Sequence, residues 1–302
     1  MQRNMVITLL VLSLAFLTTA GSSPLPAAGP RNLVVFFEFL DNANGVEDAV
    51  EFIFNKMLGP SDQLIIQSPA RTYGFSPKTL AQPKAGLIAK MQEKLRGDIS
   101  KSGQGYKQVI KNLETAVRNL EDFVMSSGAE DSGKGGQPET SDMSALFILY
   151  RQELANLNQL RIVNDKSLRQ LSAAFRGQKG ENHIIVLFEH EFRPVPKREV
   201  LNILADMPKF ATQSNELFFT SNVKEPFDIA ALADYYKQVP LTQHFIYVTA
   251  KSASSSGNLL ENSNDIYFIF SKLAEASGGV CTTISEPTAG LQSIMKAWKG
   301  TK

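Results

Sequence analysis

An α/β fold is what the sequence predicts: a doubly wound, mainly parallel sheet with helices on both faces and an added long helix. Three observations carry that prediction. Residues 33–40 (LVVFFEFL), 183–188 (HIIVLF) and 245–249 (FIYVT) are nearly unbroken apolar runs, the pattern of strands buried on both faces. Segments with apolar residues at three-and-four spacing stand between these runs, as helices require. A helical segment closed by Gly278-Gly279 leads into a last strand-like run, because glycine is favoured where a helix must end in a left-handed turn. Strands alternating with helices along one chain build a parallel sheet covered on both sides.

The elements follow in order. Residues 1–20 read as a secretory signal peptide. Arg3 supplies a positive start, residues 5–17 are apolar and uncharged, and Thr18-Thr19-Ala20 places small residues at a cleavage position. The apolar run, about 13 residues, falls short of the roughly 20 that span a bilayer as a helix. Cleavage is therefore expected over retention as an anchor, with a secreted or periplasmic destination and no stable membrane insertion afterwards. Residues 21–30, rich in Pro, Ala, Ser and Gly, read as a flexible lead-in, and 31–302 as a single domain.

The 33–40 strand should be central. The turn cluster Asp41-Asn42-Ala43-Asn44-Gly45 passes into a helix marked by Val46, Ala49, Val50, Ile53, Phe54 and Met57 and stopped by Gly59-Pro60. Residues 62–67 form a short strand and 71–75 another at the sheet edge, where the nearby Pro69 is tolerated. Leu87, Ile88, Met91 and Leu95 mark a helix ended by Gly97, a polar loop covers 98–105, and Val109, Leu113, Val117, Leu120 and Val124 mark a second helix. Residues 126–141 hold no large apolar side chain and predict a mobile loop. Leu146, Tyr150, Leu154, Leu157, Leu168, Leu171 and Phe175 predict one long helix over 142–175, about 50 Å at 1.5 Å per residue. That helix either packs on the parent core or protrudes towards a partner. Beyond the 183–188 strand come helical segments over 195–207 and 227–236, the 245–249 strand, a polar loop over 251–258, a helix over 267–276, a strand over 280–284 and a last helix over 289–298.

Composition narrows the function. Of 302 residues, 43% are hydrophobic and 20% charged, the balance of a packed globular chain. Lys plus Arg, 31, nearly cancel Asp plus Glu, 30, so no bulk field attracts nucleic acid or anionic lipid. The single cysteine, Cys281, excludes an intramolecular disulfide and any multi-cysteine metal site, and its place in the last strand predicts a buried, inert thiol. The three histidines, His183, His190 and His244, form no H-E-x-x-H arrangement, and there is neither a Walker loop nor a G-x-G-x-x-G stretch. His183 and His244 read as polar residues at the mouths of their strands.

The stretches LVVFFEFLDNANG, LGPSDQLII, FRGQKGENHIIVLFEHEF and FSKLAEASGGVCTTIS, in that order and spacing, resemble the von Willebrand factor type A domain, most closely its bacterial secreted variety with a relaxed first motif. The resemblance spans nearly all of 31–302. It implies ligands, where there are any, at the carboxyl ends of the strands, and a magnesium-type ion held by an Asp-x-Ser-x-Ser loop, a Thr and an Asp, all hard oxygen ligands. Here Leu40 and Asn42 stand where the serines of the first loop would fall, Ser100–Gly105 supplies serines but no threonine, and Glu189-His190-Glu191 replaces the acidic third motif. Glu38, Asp41, Asn44, Glu189 and Glu191 are the remaining oxygen donors for Mg2+ or another divalent cation. Asp41 and Asn42 have a structural alternative in capping the helix that follows.

The expected function is a non-enzymatic protein–protein interaction module that uses no cofactor. Asp41, Asn42, Asn44, Glu189, His190 and Glu191 are its candidate partner-binding residues, and Glu38, Asp41, Glu189 and Glu191 would form an acidic rim facing a basic protein. Two alternatives remain: a metal-dependent adhesion domain, and a hydrolase using His190 and Glu191 as acid and base.

Overall fold

The computed structural model describes residues 29–40, 43–129, 140–160, 163–219, 227–249 and 258–300. The signal-peptide reading and nearly all of the lead-in lie outside them. Six strands form the main sheet: β1 (Arg31–Glu38), β2 (Gln63–Gln67), β3 (Thr72–Phe75), β4 (Glu181–Glu189), β6 (Thr242–Val248) and β8 (Cys281–Ile284). Their order is β3-β2-β1-β4-β6-β8, and all pairings are parallel except the β2–β3 hairpin at the edge. The chain winds outwards from β1 in one direction and from β4 in the other, so the topological switch lies between those two strands.

Side-chain alternation along β1 and β4 assigns the faces. Leu33, Val35, Phe37 and Phe39 share one core with Ile185 and Leu187, covered by α1 (Ala43–Phe52) and its π-helical end Ile53–Met57, the first half of α3 (Lys84–Ala129), and α10 (Pro287–Gly300). Leu80, from the one-turn helix α2 (Pro77–Leu80), joins that core. Val34, Phe36, Ile184, Val186 and Phe188 face the other core, under α5 (Asp165–Ala173), α8 (Ile229–Tyr236) and α9 (Asn264–Ala276). Each fully buried Phe or Leu here contributes about 2–3 kcal/mol. The predicted doubly wound α/β class is thus the observed one.

A third core lies away from the sheet. The second half of α3 packs on α4 (Thr140–Gln159), with α6 (Arg198–Ala205), α7 (Ala211–Ser214), the π-helical Asn215–Phe219 and the strand β5 (Phe192–Val195). β5 pairs antiparallel with β7 (Asn258–Glu261), and neither strand was predicted.

The helical region differs most from expectation. The two predicted helices and the 98–105 loop are one helix, α3, 46 residues and about 69 Å long. It continues because its buried face is unbroken: Ile99 and Gly103 carry the stripe from Leu95 to Tyr106 and Leu113. Asp98, the residue that reads as loop, is 5% exposed and accepts hydrogen bonds from Ser68 Oγ and Tyr73 Oη, both 2.7 Å. The predicted mobile loop over 126–141 is helical at both ends, with 130–139 outside the described residues. The single helix expected over 142–175 is two helices in two cores. Asn164 starts the second by accepting a hydrogen bond from Ser167 N–H, 3.2 Å, so α5 lies on the sheet while α4 lies on α3.

His183 and His244 sit inside β4 and β6, and both are buried. Cys281 is exposed rather than buried, because β8 is an edge strand.

Candidate functional site

Open α/β sheets place ligands outside the carboxyl ends of the strands at the switch point, here the crevice between the ends of β1 and β4. Its floor is short of free groups. The backbone N–H of Leu40, just past β1, donates to Glu189 Oε2 at 2.6 Å, and Glu189 is the last residue of β4. A charge-assisted bond of this length fixes both strand ends.

The roof is α3. Gly103 lies so close to Leu40 that a Cβ on it would come within 2.5 Å of the Leu40 carbonyl oxygen. The segment Ser100–Gly105, expected to be a second ligand-bearing loop, is therefore the middle of a helix that closes against β1. That is a correction, and its physical cause is the absent side chain at Gly103.

Among the described residues, the carboxylates expected to form an acidic rim are not brought together. Glu38 projects to the α5 side, where it borders a narrow apolar gap with Phe36, Val186, Phe188 and Leu168. Glu189, one place beyond Phe188, the register partner of Glu38, turns to the α3 side. Glu189 and Glu191 are 6% and 2% exposed, so neither presents a carboxylate at the surface. Asp41 and Asn42 lie outside the described residues. Asn44 belongs to the first turn of α1, and its side chain lies outside the description too. Among the described residues, no group of three or more His, Cys, Asp or Glu is arranged to hold a metal ion.

Beside the crevice the chain builds a different constellation. His190 N–H continues the sheet by donating to Val248 O, 2.8 Å, and its ring lies against Phe192 and Tyr247, with centroids 4.4 and 4.7 Å away. Its Nε2 is 2.8 Å from Glu261 Oε1, on β7. Tyr247 Oη donates to the same carboxylate oxygen at 2.8 Å and touches Ser263 Oγ, which in turn accepts from Glu191 N–H at 3.0 Å. The only consistent direction runs from Glu191 N–H through the Ser263 and Tyr247 hydroxyls to Glu261. Burial, more than the neighbouring carboxylates, raises the Tyr247 phenol well above its ordinary value, so it stays a donor.

The partner of His190 is thus Glu261, not Glu191. Ser263 is fully buried and its oxygen is committed, so it offers no nucleophile here. What the arrangement does is tie β7 to the end of β6. On the far side of β5, Arg193 Nη1 donates to Tyr150 Oη, 2.9 Å, which donates to Pro194 O, 2.9 Å. Tyr106 Oη on α3 donates to Phe192 O, 3.1 Å. The small sheet is therefore bolted to both α3 and α4. Cys281 has its thiol raised, because partial burial outweighs a hydrogen bond to Tyr267; its thiolate is disfavoured.

Sequence reading found Glu189 and His190 but missed Tyr150, Arg193, Tyr247, Glu261 and Ser263. The one local signal is Arg193, a charge between Phe192 and the Pro194-Val195-Pro196 run. Glu261 lies far along the chain, and nothing in its neighbourhood marks it.

No family model matches the sequence, and no curated protein matches it. Among solved structures the chain is similar to a conserved hypothetical protein, BatB from Bacteroides thetaiotaomicron. Identity is 8% and the TM-score 0.31, over 88% of this chain and 98% of that one.

Proposed function

We propose that this chain is an exported, non-enzymatic protein–protein interaction module of the von Willebrand factor A-like type, which works without a metal ion. It docks through the helical elaboration of α3 and α4 rather than through the strand-end crevice. The observation that carries this reading is the closure of the crevice by the chain itself: Glu189 holds Leu40 N–H, and α3 rests on the Leu40 carbonyl through Gly103. A partner reaching for that crevice would have to displace a helix anchored in two cores.

The outer face of α4 supports the same reading. Its inner face packs through Met143, Phe147, Tyr150 and Leu157, yet Ile148 and Leu149 are 63% and 40% exposed, with Ala145, Arg151, Gln152 and Ala155 around them. A pair of large apolar side chains side by side on the outer face of a helix is a place for a partner to cover. The partner is a protein, since a near-neutral chain offers nucleic acid no field.

Crosslinking in the native envelope, followed by mass spectrometry, tests the proposal. Crosslinks from α4 and the second half of α3 to another protein are expected, and Ile148→Asp should abolish them without changing the circular dichroism. Crosslinks confined to the chain itself would overturn it.

A further inference from the structure

At the amino ends of the strands, opposite the closed crevice, two buried histidines face each other. His183 Nδ1 lies 3.3 Å from His244 Nε2, and the rings stack with centroids 5.5 Å apart. The proton on each nitrogen follows from the backbone. Val280 N–H, just before β8, donates to His244 Nδ1 at 3.0 Å, so that nitrogen carries no hydrogen. A neutral His244 then holds its proton on Nε2 and donates it to His183 Nδ1. His183 is left with its proton on Nε2, which faces Glu181 Oε2 at 3.6 Å.

The chain has no room for another proton. One added to His244 Nδ1 would point at Val280 N–H, and one added to His183 Nδ1 would point at the His244 Nε2 hydrogen. The charged groups around the pair are Glu181 on β4, Arg31 on β1, and Asp62 before β2. Arg31 is tied to Asp62 at 2.5 Å and lies over the Trp298 ring at 4.7 Å. α10 faces the pair with Trp298 itself, whose ring centroid is 4.8 Å from that of His183 and 6.1 Å from that of His244. Desolvation holds His244 down, to about 3, and pulls His183 below its ordinary value against the opposing pull of Glu181.

We propose that His183 and His244 form an acid-sensitive clamp: the hydrogen-bond chain joining β4, β6 and the start of β8 closes only with two neutral imidazoles, so acidification opens it and frees the Trp298 end of α10 while the sheet persists. The anchoring of α10 is uneven in a way that fits local release. Its Leu291 and Ile294 are fully buried in the core and Gly290 is pressed on Ile246, whereas Trp298 is only partly buried against that core and borders the histidine pair and Arg31 as well.

Trp298 is the only tryptophan and lies against both histidines, so its emission reports on this end of α10. In the full chain, titration from pH 7.5 downwards should shift that emission to the red at a pH where far-UV circular dichroism is unchanged. His183→Gln/His244→Gln should lose the shift, and His190→Gln, at the other end of the sheet, should keep it. Hydrogen exchange of the unmutated protein stands in if the double variant does not fold. Protection of residues 296–298 should then fall about tenfold per pH unit relative to α1 once the clamp titrates, after correction for intrinsic rates. Emission and circular dichroism changing together, a double variant that titrates like the parent, or equal protection of α10 and α1 would each overturn the clamp.

Discussion

Replacing glycines along α3 by alanine tests the continuous helix and its seat on β1 together. Gly97, Gly103 and Gly105 all lie within α3, and none is among the described glycines with positive φ, so alanine suits the backbone at each. At an exposed helix interior the change stabilises by about 1 kcal/mol. Gly97 and Gly105 are exposed, and a Cβ at either meets nothing within 4 Å, so both should show that full gain. At Gly103 the Cβ would sit 2.5 Å from a backbone oxygen, about 0.9 Å inside ordinary contact. Leu40 is anchored beside that carbonyl, its N–H held by Glu189, so the segment resists moving aside. Overpacking of this kind costs about 1–3 kcal/mol, which cancels the propensity gain or exceeds it. Urea unfolding should therefore place Gly97→Ala and Gly105→Ala above the parent and Gly103→Ala below Gly97→Ala by about 1–3 kcal/mol. A destabilised Gly97→Ala, as expected of a glycine that ends a helix, would refute the continuous α3. A Gly103→Ala as stable as Gly105→Ala would refute the contact that closes the crevice.

Other perturbations follow from single contacts. Asp98→Ala should cost about 1–3 kcal/mol in urea unfolding, since it takes away the acceptor of the Tyr73 hydroxyl and one of two acceptors of the Ser68 hydroxyl, which keeps Arg71 O. The Tyr73 phenol is pushed up to about 12, by burial first and Asp98 second, so ultraviolet titration of Asp98→Asn should find it lower yet still above 10. His244 titrates at about 3 when folded and at about 6.5 when unfolded, so the unfolded chain takes up the proton first. Stability is then full above about pH 6.5 and falls below it, by about 2 kcal/mol at pH 5. Comparing urea midpoints at pH 7.5 and 5 should show His244→Gln losing most of that dependence. Thermal-shift titration with magnesium, manganese or calcium should leave both the parent and Asp41→Ala unmoved; a rise in the parent lost in Asp41→Ala would contradict metal independence.

The parts of the fold that could be read in advance are those where one residue type has one use. β1, β4 and β6 are apolar on both faces, and only a central strand explains that. Gly278-Gly279 was read as a helix stop, and each glycine has its own reason. Gly278 has φ of 71°, and a Cβ on Gly279 would fall 1.7 Å from the Gln243 carbonyl oxygen. The errors came where tertiary partners override local preference. Gly97, Asp98, Gly103 and Gly105 look like a loop, yet Asp98 is buried by the turn after β2 and Gly103 by β1. β5 contains Pro194 and is only four residues long, so its pairing depends on β7, far away in sequence. At the site, Glu189 was singled out as a donor of oxygen, but its neighbour proved to be a backbone N–H, which no spacing rule could supply. Asn164, which separates α4 from α5, was passed over because leucines on either side keep helical spacing in spite of the break.

The docking of α4 on a protein partner, with the strand-end crevice closed, is tested most directly by a photo-reactive amino acid placed at either of two positions. Gln152 lies on the exposed face of α4, and Lys101 on the exposed side of α3 near the crevice. After irradiation in the native envelope, the account predicts an adduct to another protein from Gln152 and none from Lys101. An adduct from Lys101 alone, or none from Gln152, would contradict it.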